Sequence, residues 1–307
     1  MADERSEATP EADELDELDE LDELDEPDDD LGGVGGDLDT AVFGRAHEHY
    51  GEIDSTNDRA LAWALEGAPN GALVTADRQL AGRGRRGRSW ESPDAGDLYF
   101  SVVIRPSSYS SIGGLAAASW GAYSLAVGVG LREGLARWLD ELELKWPNDL
   151  LWRGRKLGGI LCEGRWHGGG LQVIVVGVGI NVGRRRFDPP QLATTATSVA
   201  LAREESASPA EEHIAVGRRP ILAALLSSLE GVTSDFAAGG FAALRGRYEP
   251  HSRLLGREVV TEGSSRAPGL RGVAVGLDED GALLIAPARG GARQRVEAAD
   301  VWLATER

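Results

Sequence analysis

The sequence predicts an α+β protein, a mixed sheet with helices followed by a small all-β module. Strand-length apolar runs at 98–104, 142–146, 157–163 and 171–178 are interleaved with helical stretches at 115–139 and 210–247, the latter read as two helices. From Leu254 the pattern changes to short alternating segments with glycine turns, at 258–261, 272–277, 282–286 and 293–298. Ahead of both lies a low-complexity acidic run. The expected division is therefore an acidic tail at 1–40, a main domain at 41–250 and a β module at 251–307.

The tail holds 19 acidic residues and one base, Arg5, which accounts for the whole net charge of −18; residues 41–307 carry 31 charges of each sign. Leucines at 15, 18, 21 and 24 recur every three residues, so they drift around a helix without forming a stripe. Dense like charge then predicts disorder, with a glycine linker at 32–36. The body is expected to start near Val42. Asp54, Ser55, Thr56 and Asn57 are cap residues ahead of an apolar-periodic stretch, 60–65, so they open a helix. A short strand is expected at 72–75, a loop at 79–90, and a central buried strand at 171–178, where the apolar run is continuous. Pro147 stops the strand at 142–146, and Asp280-Gly281 is a hairpin signal.

With 42% hydrophobic residues the chain can build a core. Its single cysteine, Cys162, excludes an intrachain disulfide and a cysteine-based zinc cluster. The five histidines fall in no metal-ligand spacing, and no metal site is expected. No run approaches 18 apolar residues, and the N-terminus lacks an apolar signal core. A cytoplasmic protein with no membrane contact is the expectation. Only two lysines, Lys145 and Lys156, accompany 30 arginines, and they lie close together in the chain. A chain that uses arginine elsewhere has kept a compact ammonium there.

Four motifs can carry chemistry. Gln79, Gly82, Arg83, Gly84, Arg85, Arg86, Gly87, Arg88 and Trp90 form a glycine-arginine loop. Crowded like charges and glycines predict a loop poorly ordered until an anion arrives, with guanidiniums as phosphate forks and Trp90 to stack on a ring; a solvated basic or RNA-binding loop is the other reading. Lys145, Trp146, Pro147, Asn148 and Asp149 place polar groups at a strand end, where ligands bind in mixed sheets, and fit a plain turn equally well. Lys156 precedes an apolar strand and can neutralise a carboxylate or an α-phosphate, or simply guard a strand edge. Gly177 and Gly179 permit close backbone approach at the end of the central strand, with Asn181 beyond them; the third glycine of a dinucleotide fingerprint is missing.

In their order and approximate spacing these motifs resemble the biotin–protein ligase family, over about residues 48–305. The resemblance implies a class II synthetase-like, biotin-ligase-like catalytic domain, with its mixed sheet and helices, followed by an SH3-like barrel. It implies that biotin and ATP, with Mg²⁺, give biotinyl-5′-AMP, and that biotin then passes to a lysine of a biotin carboxyl carrier domain of a carboxylase. By matching positions, Ser55, Thr56, Asn57, Gln79, Gly82, Arg83, Gly84, Arg85 and Lys156 would meet biotin. Arg83, Arg88, Trp90, Lys145, Asn148, Gly179 and Asn181 would meet ATP. Lys156, Arg85 and Asp149 would be catalytic. A homodimer is expected by resemblance alone.

Two departures stand out. Bifunctional members carry an N-terminal winged-helix domain; here the acidic tail stands instead, so no DNA binding is expected. Where some members end the barrel in Ser-Leu-Arg, this chain has Trp302, Leu303 and Ala304. The rival readings are a lipoate or octanoate ligase, whose loop resembles Arg-x-x-Gly-Gly-Gly, and a non-catalytic nucleic-acid-binding protein using the arginine loop, which the neutral body opposes.

Overall fold

The computed structural model describes residues 30–306 except residue 37 and residues 93–95, 111–114, 207–215 and 264–268. The expected tail at 1–29 and the expected helical residues 210–215 thus lie outside the described residues. The element order is β1 (His47–Ile53), α1 (Thr56–Leu65), β2 (Leu73–Gln79), β3 (Leu98–Ile104), α2 (Tyr123–Leu135), β4 (Leu142–Lys145), β5 (Asp149–Trp152), β6 (Arg155–His167), β7 (Gly170–Ile180), α3 (Val199–Ser206), α4 (Arg218–Gly239) and α5 (Arg245–Tyr248). The strands β8 (Glu258–Thr261), β9 (Arg271–Leu277), β10 (Leu283–Pro287), β11 (Gln294–Val296) and β12 (Val301–Leu303) follow. The first seven strands form one sheet in the order β1-β2-β3-β7-β6-β5-β4, parallel at β1–β2 and antiparallel elsewhere. The last five form an antiparallel sheet in the order β11-β10-β9-β8-β12.

The alternation of side chains along β3 and β7 sorts the two faces of the larger sheet. Phe100, Val102 and Ile104 on β3 and Ile174, Val176, Val178 and Ile180 on β7 join the main core with α2 and α4. Val103, Val173 and Val175 point the other way, under Ala60 and Ala64 of α1. Beyond α1 that second face ends in Gly177 and Gly179, which carry no side chain to fill the space above them. Helix α1 therefore covers half of the face, and the glycines floor an open cleft over the rest.

Helix α2 carries Gly128, Gly130 and Gly134, poor helix formers that its packing explains. A Cβ on Gly130 would lie 2.9 Å from Leu229 Cδ2, and one on Gly134 3.0 Å from the Leu225 Cα, so the glycines let α4 approach backbone to backbone. Helix α4 is the one described helix long and apolar enough to cross a membrane. Here its apolar residues Leu222, Leu225, Leu226 and Phe236 are core.

Several sequence expectations change. The stretch 115–139 is not one helix: a 3-10 turn at Ala117–Ala122 precedes α2, and Trp120 packs edge-on against Tyr123 and Phe236 at 5.1 and 5.4 Å. The tail does not extend to residue 40, and 32–36 is no linker. Leu31, Val34 and Leu38 are buried in the main core. The Glu230 carboxylate accepts the backbone N–H groups of Ala41, Val42 and Phe43 at 2.7–2.9 Å. Pro147 does not close off the sheet. It sits in a tight hairpin in which Lys145 pairs with Asp149, so the motif belongs to two strands. The barrel docks on this hairpin, the Trp146 indole N–H donating to Gly281 O at 2.9 Å inside the interface.

Candidate active site

The cleft above the glycine floor is lined by residues from α1, β2, the arginine loop, the β4–β5 hairpin, β6, β7 and β12. It encloses a cavity of about 140 Å³ and opens to solvent at its mouth.

Its inner end is a hydrogen-bonded chain at the start of α1. Ser55 caps the helix, its Oγ accepting from Asp58 N–H at 3.5 Å. Gln79 Oε1 at the end of β2 accepts from Thr56 N–H at 2.9 Å and from the Thr56 hydroxyl at 3.1 Å. Ser101 Oγ on β3 lies 2.8 Å from Thr56 Oγ1 and 2.7 Å from Asn57 Oδ1. Asn57 Nδ2 donates to Glu163 Oε2 at 2.8 Å. Ser55, Thr56 and Asn57 are buried, so the cap residues of α1 are also a rigid polar wall. With Gln79 Oε1 occupied, its amide NH₂ is the group of that side chain left to meet a ligand.

The arginine loop is folded, contrary to the expectation of a loosely ordered one. Arg83 and Ser89 form a bridge, Gly84 N–H donates to Arg88 O at 2.7 Å, and Trp90 N–H donates to Gly82 O at 2.8 Å. A 3-10 turn at Arg85–Gly87 makes the tip, with Arg86 and Gly87 at positive φ. The like charges are tolerated because three of the four arginines have carboxylates of their own. Arg83 pairs with Asp58 and Glu163 at 2.6 and 2.8 Å, Arg86 with Glu262, and Arg88 with Asp300.

Arg85 is the exception. Among the described residues it forms no ion pair; its NH1 donates to Asn148 Oδ1 at 3.3 Å. Burial pushes its guanidinium below the ordinary value, with Arg86 adding to the effect. A half-buried cation in no ion pair, lining a cleft with only the nearby charge of Asp149 to offset it, has the character of an anion-binding group. Lys156 stands beside it in the lining, its Nζ 2.7 Å from Asp149 Oδ1 and 5.5 Å from the Trp90 ring centroid. Lys145 also lines the cleft, 3.9 Å from Glu306.

Trp90 lies flat on the glycine floor. A Cβ on Gly179 would come within 2.6–2.8 Å of its indole, and one on Gly159 within 2.8 Å. A Cβ on Gly177 would strike Asn57 Oδ1 at 2.1 Å. The close approach expected at Gly177 and Gly179 is therefore made by Asn57 and Trp90.

Fourteen of the sixteen site residues named from sequence line this cleft. Gly82 and Asn181 do not. Gly82 serves the hairpin, where any Cβ would meet Trp90 O at 2.6 Å. β7 ends at Ile180, so alternation no longer directs Asn181 to the cleft; its buried Nδ2 donates to Thr197 O at 2.9 Å. Asn148 lines the cleft with its amide engaged, Nδ2 donating to Ile160 O at 2.8 Å and Oδ1 accepting from Arg85. Sequence reasoning missed Ser101, Asp58, Glu163 and the barrel wall of Asp300, Val301 and Trp302. Of these, Glu163 closes the apolar run at 157–163, and Trp302 stands in the stretch that departs from Ser-Leu-Arg. Cys162 lies beside the site, but burial pushes its thiol up to about 12, so it stays protonated.

The model of the biotin/lipoate A/B protein ligase family matches residues 50–181. The biotin–[acetyl-CoA-carboxylase] ligase of Paracoccus denitrificans is 33% identical over 252 residues, covering 81% of this chain and 97% of that protein. The chain belongs to the biotin protein ligase family. The corresponding ligase of Mycobacterium tuberculosis is 31% identical, covering 81% of this chain and 86% of its own length. The solved biotin protein ligase of Aquifex aeolicus in complex with biotin and ATP superposes with a TM-score of 0.67 at 27% identity, over 85% of this chain and all of that one. As a biotin protein ligase, the chain is a ligase of biotin that uses ATP, and the cleft is the place in its fold where both could bind.

Proposed function

We propose that the cleft catalyses two steps, adenylation of biotin and transfer of the biotinyl group to a lysine of a carboxylase carrier domain in the cytoplasm. The observation that carries the reading is Arg85, a half-buried cation in no ion pair among the described residues, lining the same cleft as Lys156 and the glycine floor. In the first step a biotin carboxylate oxygen attacks the α-phosphorus of ATP and the bond to the bridging β-phosphate oxygen breaks, releasing pyrophosphate. No protein nucleophile is required. The wall of Ser55, Thr56, Asn57 and Gln79 orients the biotin head group, and Arg85 and Lys156 neutralise the charge that builds between the reacting oxygens. Trp90 packs beside the nucleotide, and Arg88 and Lys145 face its phosphates. Mg²⁺ enters with ATP as part of that substrate, held through phosphate oxygens and water.

In the second step the carrier amine attacks the acyl carbon and AMP leaves. The amine must shed a proton, and Asp149, beside Lys156, is the cleft carboxylate placed to take it. The test is ATP–pyrophosphate exchange with biotin, lipoate, octanoate or no acid. Exchange that requires biotin supports the reading; exchange driven by lipoate or octanoate moves the protein to the other branch of its family; no exchange from folded protein refutes it.

A further inference from the structure

The arginine hairpin is held by carboxylates from two different parts of the molecule. At its base, Arg83 pairs with Asp58 of α1 and Glu163 of β6, both in the catalytic domain. At its tip, Arg86 and Arg88 cross to the barrel. Arg86 meets Glu262 just past β8 and also lies 3.6 Å from Asp300; Arg88 meets Asp300 just ahead of β12. The side chain of Asp300 is only 16% exposed, against 45% for Glu262. Poorly solvated and set between two guanidiniums, Asp300 is the stronger holder of the two, since exposed pairs are screened and contribute little. Asp300 is also part of the cleft wall, as is Arg88.

We propose that Asp300, assisted by Glu262, is a latch: a positioning residue of the barrel that holds the tip of the hairpin closed over the bound acyl-adenylate. The ligand phosphates and the latch draw on the same arginines. When pyrophosphate has left, Arg88 retains a counter-ion in Asp300 and the hairpin stays shut, so the reactive mixed anhydride is shielded from water until the carrier amine arrives. The barrel thereby sets how long the intermediate is kept.

The lifetime part of this inference rests on the proposed function; hairpin closure does not. Trypsin reads closure directly, because the hairpin tip carries its own cleavage sites at Arg85 and Arg86. Asp300→Asn and Arg88→Gln are each expected to raise cleavage at the tip about tenfold and to shorten the lifetime of bound adenylate by a similar factor, with an unchanged unfolding midpoint. The double variant should match Asp300→Asn, which also loses the contact with Arg86, and Asp300→Glu should restore most of the protection. Wild-type cleavage at the tip should rise in 1 M salt, whereas that of Asp300→Asn should barely change. Arg88 is exposed, so Arg88→Gln decides the matter even if Asp300→Asn does not fold. Wild-type cleavage and wild-type retention in Arg88→Gln would overturn the latch. A protein that forms no adenylate with any acid would defeat the proposed function, and the cleavage comparison would still decide the latch.

Discussion

Adding one methyl group to the cleft floor, Gly179→Ala, should separate site integrity from fold stability. Gly179 is paired with Tyr99 on one side and Gly159 on the other, so the backbone of this central strand cannot yield. The new Cβ would sit 2.6–2.8 Å from the Trp90 ring, whereas carbon–carbon contact is comfortable at about 3.5–4.0 Å. The indole must therefore move by about 1 Å or swing off the floor, and Lys156 loses the ring beside it. Overpacking of this kind costs about 1–3 kcal/mol, less where the ring can leave. Loss of the contact proposed between the ring and the nucleotide should raise the KM for ATP about 10- to 100-fold, equivalent to about 1.4–2.7 kcal/mol. Biotin-dependent pyrophosphate exchange and urea unfolding measure the two effects separately. The double variant Gly179→Ala/Trp90→Ala should be no less stable than Trp90→Ala alone, because the clash has gone. A Gly179→Ala enzyme with wild-type KM and unaltered tryptophan fluorescence would refute the account of the floor.

Lys156→Ala should cut adenylate formation by about 10²–10³-fold, as removal of a preorganised charge stabiliser does; wild-type exchange in that variant would remove the lysine from the mechanism. His47 is held neutral by burial and by His49, its pKa lowered from 6.5 to about 4. Between those pH values the unfolded chain binds a proton that the folded one does not, so stability should fall as pH drops from about 6.5 to about 4. Replacement by Gln should flatten that part of a denaturation-versus-pH series. Truncation through residue 40 should destabilise the protein by roughly 5 kcal/mol relative to truncation through residue 29, because Leu31, Val34 and Leu38 are lost from the core; equal urea midpoints would contradict this.

The fold was legible in sequence wherever one apolar period ran unbroken. β3 and β8 coincide with their expected spans, and the barrel hairpin forms at Asp280-Gly281. β1 was not legible, because His47, Glu48 and His49 show no apolar alternation; its order comes from partners, both His rings meeting the Thr75 hydroxyl at 2.8–2.9 Å. β5 was hidden by Pro147, whose turn chemistry reads as an end although the chain reverses and pairs. Leu31, Val34 and Leu38 sit among glycines and acids, and they are buried in a core whose other members lie further along the chain. The same limit applied to the site. Local motifs supplied the cap residues, the hairpin and both lysines. The carboxylates that pair with the hairpin lie elsewhere in sequence, and no local pattern announces Glu262 or Asp300. Asn181 shows the opposite error, where a motif neighbour was credited with a position that the end of β7 denies it.

The cleft has a direction in time as well as in space. Its polar wall and arginine hairpin are made early in synthesis, while Glu262 stands 176 residues beyond Arg86 and the wall of Asp300, Val301 and Trp302 is made later still. At about 5–20 residues per second, the tip arginines exist for roughly 10–35 s before the first of their barrel partners is even polymerised. The cleft wall is therefore complete only once β12 has been made. A chain released short of β12 carries all seven strands of its larger sheet and still leaves with the cleft missing one side.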